Sequence, residues 1–133
     1  MTTATANKNE ELIRAGYEAF SRGDIAVFQG LFMPDITWHV GGRNPLSGDK
    51  RGLEATLEYF GELGARTDGT FRLELEQVFA NDSTAVGIHR ETARRGGKAL
   101  KTRCVIIFAL SNERVTRAWV HYEDQTVVDA FFA

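Results

Sequence analysis

His89, Glu91 and His121 are the side chains of this chain best suited to moving protons. Successive side chains of a strand point to opposite faces. A strand over Thr84–Thr92 therefore puts Gly87, His89 and Glu91 on one face, with Val86, Ile88 and Arg90 opposite. In the last strand Trp119, His121 and Glu123 share a face, opposite Val120, Tyr122 and Asp124. An imidazole in a partly apolar pocket titrates near neutrality and serves as general acid or base. His121 beside His89 or Glu91 would pair a proton acceptor with a group that orients it. A phenol from Tyr17 or Tyr59 would supply the donor that steadies a developing enolate or alkoxide. Such a set suits proton abstraction next to a carbonyl, aldol-type cyclisation or addition of water. It asks for no cofactor. Hydrogen-bonded pocket lining is the plainer alternative for the two histidines. A zinc site from His89, His121 and Glu91 is conceivable, but the spacing matches no established metal signature.

Other notable residues have plainer readings. Cys104 lies in the apolar run Cys104–Phe108 and reads as an inert core thiol rather than a nucleophile. As the single cysteine it excludes an internal disulfide and every multi-cysteine zinc pattern. Trp38 and Trp119 are aromatic bulk first and ligand platform second. Arg94, Arg95, Lys98, Lys101 and Arg103 gather at a hairpin and read as a solvated tip. Asp124, after Tyr122, reads as a cap that orders the tail. His39 should point away from Trp38, as spectator or interface. Gly41, Gly42 and Gly48 lack the lysine and hydroxyl ending of a phosphate loop.

The elements that must position these groups follow from periodicity. Asn7 with Glu10 forms a capping box, and Leu12, Ile13, Tyr17 and Phe20 fall on one stripe of a helix to about Arg22. Residues 1–8 read as a frayed end without the apolar core of a signal peptide. Gly23 closes that helix, Asp24 caps the next, and Ile25, Phe28, Leu31 and Phe32 form its buried side before Pro34 stops it. The stretch Asp35–Gly52 carries Trp38 and Val40 on one strand face, then a glycine-rich loop. Leu53, Leu57, Phe60 and Leu63 mark a third amphipathic helix. From Phe71 the period drops to two, and strands follow over about 71–80, 84–92, 99–110 and 115–124. The tail Val127–Phe132 is apolar enough to dock. Helices followed by an antiparallel meander give an α+β domain, with three N-terminal helices against one face of a curved sheet.

Length and composition bound the class. A chain of 133 residues fits a single domain with a real core. With 43% hydrophobic and 26% charged residues it reads as globular rather than disordered. A net charge of −2 gives no whole-chain attraction to nucleic acid or to an anionic membrane. No apolar run approaches the roughly 20 residues of a membrane span, and the expected location is cytoplasmic.

The order of these elements resembles the nuclear-transport-factor-2-like superfamily, and within it the SnoaL-like polyketide cyclase branch. The residues that carry the likeness are Tyr17-x-x-Phe20-x-x-Gly23-Asp24, Phe32-x-Pro34-Asp35-x-x-Trp38, Pro45-Leu46-x-Gly48-x-x-x-Gly52, Val115–Trp119 and Tyr122-x-Asp124. They span about Asn9 to Phe132. The resemblance implies a cone-shaped, cystatin-like fold enclosing a deep, mostly apolar pocket, and dimers formed through the sheet. It implies a small lipophilic ligand, a carbonyl, polyketide or terpenoid-like compound, handled without a cofactor. The same fold also serves non-catalytic binding and assembly domains. Similarity to limonene-epoxide-hydrolase-like members turns Trp38, His89, Thr102, Cys104 and His121 inward. The implied catalytic set is His121, His89, Glu91 and Tyr17. The implied ligand contacts are Phe20, Phe28, Phe32, Trp38, Val40, Tyr59, Phe60, Leu63, Thr102, Cys104, Ile106, Trp119 and Glu123. The departures are as informative. The charge relay of the epoxide hydrolases falls on His121, Gly87 and His89. The acids of ketosteroid isomerases fall near Val40 and Val105, and their tyrosine at Gly16, beside Tyr17. The pocket acid of the polyketide cyclases falls near His121.

Overall fold

A long first helix braces the sheet. In the computed structural model, which describes residues 3–133, α1 runs Thr3–Arg22. Residues 3–8 are therefore helical rather than frayed, while residues 1–2 lie outside the described residues. Asn9 accounts for part of this: it is almost fully buried and donates its side-chain amide to the carbonyl of Asn81, 3.0 Å away. That bond ties the first half of α1 to a turn of the sheet. Helix α2 spans Ile25–Leu31, and Asp24 holds its cap position without a side-chain cap bond. Phe32, expected on that helix, instead opens strand β1, Phe32–Val40.

The glycine-rich loop holds a short strand that its composition concealed. Strand β2, Gly48–Arg51, pairs antiparallel with β1, His39 standing opposite Asp49. Helix α3 then runs Leu53–Ala65. Strands β3 (Arg72–Ala80), β4 (Thr84–Arg95), β5 (Lys98–Ser111) and β6 (Arg114–Tyr122) complete a sheet ordered β2-β1-β6-β5-β4-β3. The sheet is not purely antiparallel, since β1 runs parallel to β6. A crossover through α3 and the β3–β5 meander brings the chain back in that sense.

The apolar tail docks as a fourth helix, α4, Gln125–Phe132, which the expected count of three did not include. Asp124 caps it, its carboxylate accepting from the backbone N–H of Val127 at 3.2 Å. At the far end Arg95 donates to the carbonyls of Phe131 and Ala133, and Lys98 to that of Ala130. Cations at a helix C-terminus satisfy its orphan carbonyls and complement its dipole. Part of the basic hairpin thus holds α4, and Arg103 joins Arg90 on Glu76. The core lies between the helices and the inner sheet face, with Ile13, Ile36, Val115, Val128 and Phe132 almost fully buried. Among the described residues no helix is long and apolar enough to cross a membrane.

Candidate functional site

Three strands and two helices bring one polar group to an otherwise apolar interior. On β4, His89 and Glu91 face inward and are almost fully buried, 1% and 3% exposed. Their neighbours across the sheet are Cys104 and Thr102 on β5, and Cys104 in turn lies beside Tyr122 on β6. From α1, Tyr17 reaches over the sheet so that its hydroxyl lies 2.8 Å from Nδ1 of His89. The other ring nitrogen, Nε2, is 2.7 Å from Oε2 of Glu91. Tyr122 donates its hydroxyl to Oε1 of Glu91 at 2.9 Å. Tyr59 and the Cys104 thiol stand close enough to Glu91 and Tyr122 to feel their charge and polarity. With Glu91 as a carboxylate, His89 donates from Nε2 and is left to accept from Tyr17 at Nδ1.

The electrostatics of this cluster have one sign. Burial, and then the nearby Cys104 and Glu91, push the Tyr17 phenol well above its ordinary range. Burial and the Glu91 charge do the same to Tyr59 and Tyr122. The Cys104 thiol is raised for the same two reasons. A low-dielectric site disfavours new negative charge, and Glu91 adds repulsion to it. Every phenol and the thiol are therefore held as donors.

This group lies against a cavity of about 60 Å³. Tyr17, Phe20, Phe28, Phe32, Trp38, Tyr59, Phe60, Leu63, His89, Glu91 and Ile106 line it as expected. The aromatic wall is tightly interlocked, Phe60 standing edge-on to Trp38 (5.1 Å), Phe28 (5.2 Å) and Phe20 (5.4 Å). A water needs about 10–15 Å³ of such space. The free volume thus takes a few waters or a small fragment, and a larger guest must displace side chains.

Several residues lie elsewhere. The face of β6 is inverted from expectation: Ile106 pairs with Val120, and both line the cavity. Trp119, His121 and Glu123 therefore point to the outer face of the sheet. The signal was present in the sequence, because Arg117, His121 and Glu123 make that face the wet one. His121 and Trp119 instead border an outer groove with His39, Asp49 and Gln125. There His39 stacks on Trp119, 5.6 Å between centroids, and lies 2.7 Å from Oδ1 of Asp49. A metal triad containing His121 is not formed. His89, Glu91 and Cys104 do bring one ligand atom each within 4.8 Å of one another. His89 and Glu91 are already hydrogen-bonded to each other and the thiol is held protonated, so the set reads as a proton network. Val40 is buried but borders the outer groove, not the cavity. Cys104 and Thr102 are buried beside the network without lining the cavity, the Thr102 hydroxyl donating to the carbonyl of Arg103. Sequence reasoning missed Ile13, Gly16, Leu31, Phe71, Leu73, Phe108 and Val120 in the lining, and Tyr122 in the network.

Comparison with known proteins agrees with this fold. Residues 13–118 match the SnoaL-like domain family. The uncharacterised protein Rv0034 of Mycobacterium tuberculosis is 33% identical over 130 residues, covering 97% of this chain and 99% of that protein. Bal32a, from a soil-derived mobile gene cassette, superposes with a TM-score of 0.94 at 40% identity, over 97% of this chain and 99% of its own. A putative SnoaL-like polyketide cyclase from Jannaschia sp. CCS1 superposes with a TM-score of 0.82 at 14% identity, over 100% of this chain and 97% of its own. At that identity the likeness speaks to the fold alone.

Proposed function

The chain belongs to the SnoaL-like domain family of the nuclear-transport-factor-2-like superfamily, and from that footing we propose that it binds a small lipophilic molecule in its inner cavity and performs cofactor-independent acid–base chemistry on it. The observation that carries this reading is the continuous chain Tyr17–His89–Glu91, with links of 2.8 and 2.7 Å, at the wall of an apolar cavity.

Tyr17 is the donor in this scheme. Its raised pKa makes the phenolate costly, so it serves poorly as a base and well as a hydrogen-bond donor. When His89 carries protons on both nitrogens, Nδ1–H donates to the Tyr17 oxygen. The Tyr17 hydroxyl is then released toward the cavity, where it meets a carbonyl or hydroxyl oxygen of the ligand. Negative charge growing on that oxygen is steadied by the Tyr17 hydroxyl, and Glu91 steadies the positive charge of the His89 ring. Glu91 and Tyr122 act as positioning residues. Enolisation, aldol-type cyclisation and hydration all pass through such an oxyanion.

Non-catalytic binding is the second reading. It is favoured by the completeness of the network, in which each polar group already has a protein partner. A panel of small ketones, enones, epoxides and aromatic polyketide fragments separates the two. Binding with consumption that Tyr17→Phe abolishes supports chemistry. Binding without consumption leaves a carrier, and no binding across the panel overturns both. The half-buried Val86, Ile88, Val105 and Ile107 on the outer face support the further proposal of a homodimer through the sheet. A monomer by light scattering at micromolar concentration contradicts it.

A further inference from the structure

Trp38 carries a buried donor with nothing to donate to. The residue is 4% exposed and lines the cavity. Among the described residues its Nε1 meets no hydrogen-bond acceptor. An indole N–H only donates, so no change of protonation can satisfy it. Its ring neighbours are Phe32 at 5.7 Å, Phe60 at 5.1 Å and Phe108 at 5.9 Å, none of which offers an oxygen. Trp119, the other tryptophan, has no such orphaned nitrogen. Buried donors without partners are rare in native proteins because they lose hydration for nothing. The cavity that Trp38 lines is where an acceptor can enter beside it.

We infer that the indole N–H of Trp38 anchors an acceptor oxygen of the bound molecule, so that the site selects a ligand bearing a carbonyl or ether oxygen over a hydrocarbon of the same shape. This rests on the reading that the cavity holds a ligand. It makes Trp38 a specificity-determining residue rather than aromatic wall alone. Phe108 packs against both Trp38 and Tyr17, at 5.9 and 6.5 Å. The orphaned indole and the proton network thus flank one ring, and a compact ligand with two oxygens meets both.

The test uses cyclohexanone and its isostere methylenecyclohexane, followed by proton–nitrogen correlation NMR of the two indole groups. The Trp38 resonance is identified as the one missing from Trp38→Phe. The inference expects cyclohexanone to move that resonance saturably and to bind roughly tenfold tighter than the hydrocarbon, the worth of about one hydrogen bond. In Trp38→Phe the preference should collapse while hydrocarbon affinity stays. If the preference survives in that variant and the wild-type indole does not move, the oxygen is seated elsewhere and the inference is overturned. If both probes bind equally, it is also overturned, while the cavity reading stands. If neither binds, the cavity reading itself falls. Should Trp38→Phe fail to fold, Trp119→Phe supplies the assignment and the wild-type titration decides.

Discussion

Gly87 leaves the space that the Tyr17 phenol occupies. A Cβ at position 87 would stand 2.5 Å from the Tyr17 hydroxyl oxygen and 2.8 Å from its ring. No real side chain tolerates that approach, so the Tyr17–His89 bond exists because residue 87 is glycine.

Gly87→Ala should therefore push Tyr17 off His89. Overpacking of this kind costs about 1–3 kcal/mol, measurable by urea unfolding. The specific sign is a changed His89 ring nitrogen spectrum. The double variant Gly87→Ala, Tyr17→Phe should recover part of the stability, since the clashing hydroxyl is gone.

The three tyrosines of this chain all belong to the network, Tyr17 and Tyr59 buried and Tyr122 half-buried, and all are raised by desolvation and then by nearby charge. A raised folded pKa gives stability that is complete below the unfolded value of about 10 and declines as pH rises above it. Each phenol should then add about 1.4 kcal/mol per pH unit to the loss. The folded protein should show no phenolate absorbance, which should appear only together with unfolding. Smooth phenolate titration in the folded state would contradict the network.

Asp49 sets an acid limb of the opposite sign. The hydrogen bond from His39 chiefly holds its carboxyl below the ordinary range. Its contribution is present above the unfolded value of about 3.9 and is lost as pH falls through the folded one. His39→Ala should flatten that limb in acid unfolding curves without touching the alkaline one.

Asp124→Ala removes the cap of α4. The expected cost is about 1 kcal/mol, typical of an N-cap, seen as a lower urea midpoint. Asp124→Asn should retain most of the stability.

Much of the architecture was legible in the chain, and the reasons are local. The apolar stripe of α1 put Tyr17 and Phe20 on the correct side, and alternation in β4 placed His89 and Glu91 together. Phe28, Phe60 and Leu63 followed from helical spacing. The errors arose where strand phase or pairing depends on distant contacts. Trp119 and Val120 are both apolar, so the phase of β6 turns on its partner Ile106, and inheriting the position of a relative's acid led to His121. The parallel β1–β6 pairing and strand β2 likewise need tertiary partners that no local pattern reveals. Tyr122 was lost with the same inversion, and the orphaned Trp38 nitrogen becomes visible only once its neighbours are known.

The central claim is that proton chemistry and ligand contact belong to the inner His89, not to the outer His121. The direct measurement is the affinity of a panel hit for wild type, His89→Gln and His121→Ala by thermal shift. At 100 times its dissociation constant a ligand adds about 2.7 kcal/mol of stability. The account predicts that this increment survives in His121→Ala and shrinks sharply in His89→Gln. An increment lost in His121→Ala and kept in His89→Gln would contradict it.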